Sequence, residues 1–150
     1  MTRKSHRVFL DTSVVFSAVL STTGGARKLF LLGEAGFLRL VVGPNVLREC
    51  QEVIQRKASS SLPTLAQLLS IGQVETSDIP SARQIELARM LVHYPPDAYV
   101  LAEAMNARPD WFVTHDKEHF LKNRLQTDPP FEIGTPGDLL QALKDDFQLP

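Results

Sequence analysis

"WFVTHDKEHF", residues 111–120, admits two readings, and the choice between them decides the fold. His115 and His119 stand one helical turn apart with Glu118 between them. A helix with that spacing offers two imidazoles to a zinc ion, with a further carboxylate needed downstream. The same residues also read as an apolar strand, "WFVT", that hands over to His115 and Asp116. The second reading is the better one. His115 follows the β-rich run immediately and so precedes any helix, and only Glu132 and a few late acids remain to complete a zinc site. The histidines are then polar residues facing solvent or substrate, and Trp111 opens a core strand.

Working outward, the chain alternates short β-rich runs with longer helical periods. "RVFL" (7–10), "LRLVV" (38–42) and "FEI" (131–133) share the character of "WFVT", and "QVET" (73–76) is a weaker fifth. Between them lie helical segments such as "GARKLFLLGEAG", "PNVLRECQEVIQRK", "PTLAQLLSI", "SARQIELARMLV", "DAYVLAEAMNA" and "DKEHFLKNRL". The last helix, "PGDLLQALKDDF", has Thr135 as N-cap and Asp138 three residues on, a capping-box spacing. Strands separated by helices predict an α/β fold whose mainly parallel sheet of about five strands is covered on both faces. No repeat or second domain is visible, so 1–150 reads as a single domain, with "RKASSSLPT" (56–64) as a flexible connection.

Composition narrows the function classes. The chain is 43% hydrophobic and 22% charged, the balance of an ordinary globular protein. One cysteine, Cys50, excludes an intrachain disulfide and fits a reducing compartment. It lies on the apolar side of its helix, as a buried structural thiol would. Basic "MTRKSHR" followed by "VFLDTSVVFSAVL" imitates a secretory signal, but Asp11 interrupts the apolar region. No charge-free apolar run is long enough for a membrane span, so a cytoplasmic protein is expected. The net charge of −1 argues against nonspecific coating of nucleic acid. If four of the 17 acids surround metal ions, however, the remaining surface is positive, with basic clusters at Arg3, Lys4 and Arg7, at Arg27 and Lys28, and at Lys117, Lys122 and Arg124.

Parallel sheets hold their ligands outside the carboxyl ends of the strands. At those ends stand Asp11, followed by Thr12 and Ser13, and Asp116, preceded by Thr114 and His115. Asp97 opens "DAYVLAEAMNA" directly after the breakers Pro95 and Pro96. Any one of them reads blandly as a helix cap or strand terminator. Carboxylates brought together repel unless a hard divalent cation joins them, and oxygen-only ligation suits Mg²⁺ or Mn²⁺. Such a site can polarise a phosphate and activate water, which is phosphodiester hydrolysis. Thr12, Ser13 and Thr114 would orient ligands or waters through their hydroxyls.

"VFLDTSVVFSAVL", "PNVLRECQEVI", "PPDAYVLAEAMNARPDWFVTHDKEHF" and "IGTPGDLLQAL" together resemble the successive blocks of a PIN domain, in order and over nearly the whole chain. The resemblance implies a three-layer α/β/α sandwich and a Mg²⁺- or Mn²⁺-dependent ribonuclease. Among the small bacterial and archaeal members it further implies a VapC-like toxin, a homodimer that pairs with an antitoxin protein. It places metal-binding acids at Asp11, Glu49, Asp97 and Asp116, and small hydroxyl positions at Thr12, Ser13 and Thr114. Ser13 departs from the asparagine of many members, and His115 from a small residue.

Two rival functions fit these residues less well. An aspartyl-phosphate enzyme of the haloacid-dehalogenase type would want an aspartate where Ser13 stands. A catalytically silent PIN-like module that binds RNA or protein would be missing an acid, and none is missing. Helix phase independently selects Glu49 over Glu52. With about 100° per residue, Glu49 falls about 100° from the centre of the apolar arc formed by Val46, Leu47, Cys50, Val53 and Ile54, and Glu52 about 160° away, on the solvent side.

Overall fold

The computed structural model describes residues 5–121 and 130–148. Arg3, Lys4, Lys122 and Arg124, and "DKEHFLKNRL" beyond Leu121, lie outside them, as does the side chain of His119. Five strands, β1 (His6–Leu10), β2 (Leu38–Val42), β3 (Glu75–Thr76), β4 (Trp111–Val113) and β5 (Glu132–Gly134), form one sheet in the order β3-β2-β1-β4-β5. All neighbours are parallel. The helices are α1 (Thr12–Leu20), α2 (Gly25–Glu34), α3 (Pro44–Lys57), α4 (Leu62–Ile71), α5 (Ala82–Leu91), α6 (Pro95–Ala107), α7 (Lys117–Leu121) and α8 (Pro136–Gln148). The α/β class and the number of strands are those the sequence predicts, and the sheet is parallel throughout.

From the central pair β1 and β4 the chain works outward in opposite directions, to β2 and β3 on one side and β5 on the other. Right-handed crossovers then put α1–α4 on one face of the sheet and α5 and α6 on the other. The packing agrees: α1 lies against α2, α3 and α4, and α5 lies against α6. Cover on both faces explains why the central strands show no polar alternation. Val8, Phe9, Leu10, Leu40, Val41, Phe112 and Val113 are all fully buried. Phe112 sits at the centre, with its ring centroid 5.6 Å from Phe9 and 4.8 Å, edge-on, from Phe120. No helix among the described residues is long and apolar enough to cross a membrane.

Three segments depart from the sequence reading. The signal-like run after Asp11 is helix α1. Val14, Val15, Ala18 and Val19 are buried on one face, and apolar Phe16 and exposed Leu20 on the other side leave little contrast for a 3.6-residue stripe. The "flexible" connection is short and structured: α3 continues through Lys57, and a single 3₁₀ turn at Ser59–Ser61 leads into α4. Pro95 and Pro96 do not break α6 but begin it, filling a first turn whose N–H groups have no helical acceptor. Asp97 therefore lies within the first turn, not at the cap. The expected box at α8 is present. The Asp138 amide donates to Thr135 Oγ1 at 3.1 Å, and the Thr135 amide donates to Asp138 Oδ2 at 2.9 Å.

Candidate active site

β1 and β4 pair Val8 with Trp111 and Leu10 with Val113, so Asp11 and Thr114 emerge together at the carboxyl edge. The Asp11 amide donates to the Val113 carbonyl at 3.0 Å and prolongs the ladder by one bond. This is where strand order reverses, and a parallel sheet opens a crevice there.

Asp11 is only 8% exposed, so its carboxylate must find donors within the protein. Oδ1 accepts the Thr12 amide at 2.8 Å, which also caps α1. Oδ2 accepts the hydroxyls of Thr114 at 2.7 Å and Ser13 at 3.0 Å. Both hydroxyls also hold the loop after β4. Thr114 Oγ1 accepts the Asp116 amide at 3.0 Å, and Ser13 Oγ accepts the His115 amide at 3.2 Å. Asp116 is thus positioned through Asp11. Burial pushes the Asp11 carboxyl above its ordinary range, the hydrogen bonds from Thr114, Ser13 and Thr12 pull it back, and the charge of Asp116 pushes it up again. Replacing Thr114 by valine keeps the volume but strips Asp11 of a buried donor. We expect a loss of about 2 kcal/mol in urea unfolding, and an unchanged midpoint would contradict this account.

Glu49 reaches the same place from α3, its Oε2 accepting the Thr12 hydroxyl at 3.4 Å. Its carboxyl is pushed up first by burial, then by the charge of Asp11 and, more weakly, that of Asp97. Asp97 arrives from the first turn of α6. Asp11, Glu49, Asp97 and Asp116 line one open cleft of about 850 Å³, together with Thr12 and Ser13. Thr114 lies buried beneath, supporting Asp11. His115 is exposed and does not line the cleft. It also precedes α7, so His115 and His119 do not share a helix and the zinc reading fails.

A hard cation fits this donor set. All the acids are oxygen donors, and the upward push that they exert on one another is the repulsion such an ion relieves. Among the described residues no three His, Cys, Asp or Glu side chains form a ready-made coordination sphere. Mg²⁺ does not demand one, because it keeps several waters and takes one or two carboxylates directly.

Some cleft residues escaped the sequence reading. Arg48, Arg89 and Tyr94 line it beside the acids. Arg48 was visible next to Glu49 and Tyr94, the N-cap of α6, lies three residues before Asp97, but Arg89 comes alongside only through the packing of α5 on α6. Glu52, placed on the solvent side by helix phase, is exposed, and it also lines the open cleft. The wheel finds the stripe against the core, whereas the cleft wall runs along the exposed flank of α3. One described residue of each basic cluster has a structural duty. Arg7 Nη1 pairs with Glu75 at 2.8 Å, Arg27 Nε donates to the Ala18 carbonyl at 2.7 Å, and Lys117 pairs with Asp138 at 3.0 Å. Cys50 is fully buried, its thiol pushed up to about 12 chiefly by burial. Its alkylation at pH 8 should run at least about a hundredfold slower in the folded protein than in urea, because thiolate and access are both lacking. Equal rates would place the thiol at the surface.

An all-parallel α/β fold with carboxylates gathered at the switch point defines a class of acid-lined α/β domain. Comparison with known proteins makes that class specific. A sequence model of the PIN domain matches residues 7–118, well over half of the chain, and the protein belongs to the PIN-domain family. Among solved structures, a chain from the crystal structure of VapBC2 from Rickettsia felis bound to a DNA fragment from their promoter matches with a TM-score of 0.59. The identity is 16%, over 85% of this chain and 96% of that one, which is a likeness of fold. No curated protein sequence matches the chain.

Proposed function

We propose that the protein is a Mg²⁺- or Mn²⁺-dependent endoribonuclease, a single PIN-like domain acting in the cytoplasm as the toxin of a toxin–antitoxin pair. The observation that carries this reading is the convergence of Asp11, Glu49, Asp97 and Asp116 on one cleft. These acids would hold the ion. Thr114 and Ser13 fix the Asp11 carboxylate, and through the His115 and Asp116 amides they fix the loop that carries Asp116. Thr12 holds Glu49 beside Asp11. When bound, the ion would polarise the scissile phosphate, lower the pKa of a water and steady the leaving oxygen. Arg48 and Arg89 on the cleft wall offer cations to neighbouring phosphates, and Tyr94, 63% exposed, offers a face for a base.

The VapBC2 likeness supports an antitoxin as partner, and the proposal includes a segment of it covering the acidic cleft and a second copy of this chain. Leu29, Phe30, Leu65 and Leu68 of α2 and α4 are core, and Leu31 and Ile71 on the same helices stay exposed. Light scattering at micromolar concentration should give a dimer.

The test of the chemistry is cleavage of mixed RNAs by purified protein, with sequencing of the cut ends. Cuts leaving a 5′-phosphate and a 3′-hydroxyl, dependent on Mg²⁺ or Mn²⁺ and stopped by EDTA, are expected. Cleavage undiminished in excess chelator would overturn the mechanism. RNA or protein binding without any cleavage would favour a catalytically silent module.

A further inference from the structure

Glu103 of α6 is fully buried, and the reaction proposed above gives it no role. A buried carboxylate is costly, and an apolar side chain of the same volume would fill the space at less expense. Its surroundings show what it does. Oε2 accepts the backbone amide of Asn45 at 2.8 Å; burial pushes the Glu103 carboxyl above its ordinary range, and the Asn45 and Val46 amides pull it back. Those amides belong to the first turn of α3, whose own N-cap, Gly43, has no side chain to satisfy them. The cap is therefore supplied by a different helix.

Gly43 is fitted to this arrangement. Its backbone, at φ −81° and ψ 158°, is one that any residue adopts. A Cβ there, however, would stand 2.3 Å from Glu103 Cδ. Space for the carboxylate, not backbone freedom, is what requires glycine. Among the described residues Glu103 Oε1 has no hydrogen-bond partner, so the contact is made at some cost to stability.

The two helices joined here carry two of the four cleft acids. Glu49 lies about one turn after Asn45 on α3, and Asp97 lies six residues before Glu103 on α6, about 9 Å along the axis. We propose that Glu103 is a positioning residue whose bond to the first turn of α3 sets the separation of Glu49 and Asp97 across the cleft. The inference rests on the reading of those acids as cation ligands.

The test measures Mn²⁺ affinity by calorimetry on the full chain, together with Tm and, without metal, the exchange rate of the Asn45 amide. Glu103→Gln keeps an acceptor for that amide, whereas Glu103→Met keeps only the volume. Gly43→Ala attacks the same joint from the other side, and Ile54→Val, in the core of α3 away from the cleft, controls for general loosening. Glu103→Met and Gly43→Ala should each weaken Mn²⁺ binding at least about tenfold and speed Asn45 exchange, with Glu103→Gln within about threefold of the parent. Ile54→Val should lower Tm and leave affinity within about twofold. If Glu103→Met and Gly43→Ala bind Mn²⁺ as tightly as Ile54→Val, the carboxylate is only a helix cap and the inference falls, while the cation site stands. If the parent protein itself binds no Mn²⁺, the reading of the acids falls, and the inference with it.

Discussion

Replacement of Asp97 by asparagine is expected to leave the fold intact and to lower RNA cleavage at least about a hundredfold, roughly 2.7 kcal/mol of transition-state stabilisation. The substitution is nearly isosteric, and an asparagine in a first helical turn is readily accommodated. Asp97 is half-buried on the cleft wall, so little packing changes. What is lost is charge. The Asp97 carboxylate is one of the charges that push up the Glu49 carboxyl, and only a charged group close to the cleft acids can share an ion with them. An amide oxygen is a weaker ligand for Mg²⁺ and leaves the ion's charge uncompensated. The variant should also lose most of the rise in melting temperature that Mn²⁺ gives the parent, since that rise measures binding to the folded state. Full cleavage by Asp97→Asn would exclude Asp97 from the machinery. Reduced cleavage with an undiminished thermal response to Mn²⁺ would move it from ion binding to another role.

How much of this was legible before the fold was known depends on range. "RVFL" and "LRLVV" carry β-branched and aromatic residues between clear breaks, and they are β1 and β2 to within a residue. "PNVLRECQEVIQRK" carries an apolar stripe and is α3 from end to end. Asp11 and Asp116 were found because a strand end is a local feature and a parallel sheet puts its sites there. Helix α1 was missed because apolar residues stand on its open face as well, at Phe16 and the exposed Leu20, which blurs the periodicity that marks a helix. Glu103 was missed for a related reason. In "DAYVLAEAMNA" a lone glutamate reads as a solvent residue, and only the fold brings it under the first turn of α3. Gly43 likewise reads as a turn glycine until Glu103 is placed beside it. Arg89 belongs to the same category, since a cleft wall built by a neighbouring helix has no signature in its own segment.

Glu49 and Glu52 provide the finest distinction the site offers. Both line the cleft, and they lie three residues apart on one helix. Glu49 accepts a hydrogen bond from the hydroxyl of Thr12, the residue whose amide donates to Asp11, so the two carboxylates are tied through one residue. Its carboxyl is pushed up by burial and then by Asp11 and Asp97, which places it among the acids an ion would serve. Glu52 is exposed and acts on this group only as a lesser neighbour of Glu49. Surface charges of that kind are screened by water and salt. Glu49→Gln should therefore weaken Mn²⁺ binding and cleavage at least about tenfold, whereas Glu52→Gln should change either by less than about threefold. Raising the salt concentration should shrink the small effect of Glu52→Gln and leave that of Glu49→Gln in place, because a ligand bond is not screened as a remote charge is. Equal losses in the two variants would mean that the ion sits further out, over the exposed flank of α3. A loss confined to Glu52→Gln would transfer the role to that residue and remove Glu49 from the ligand set.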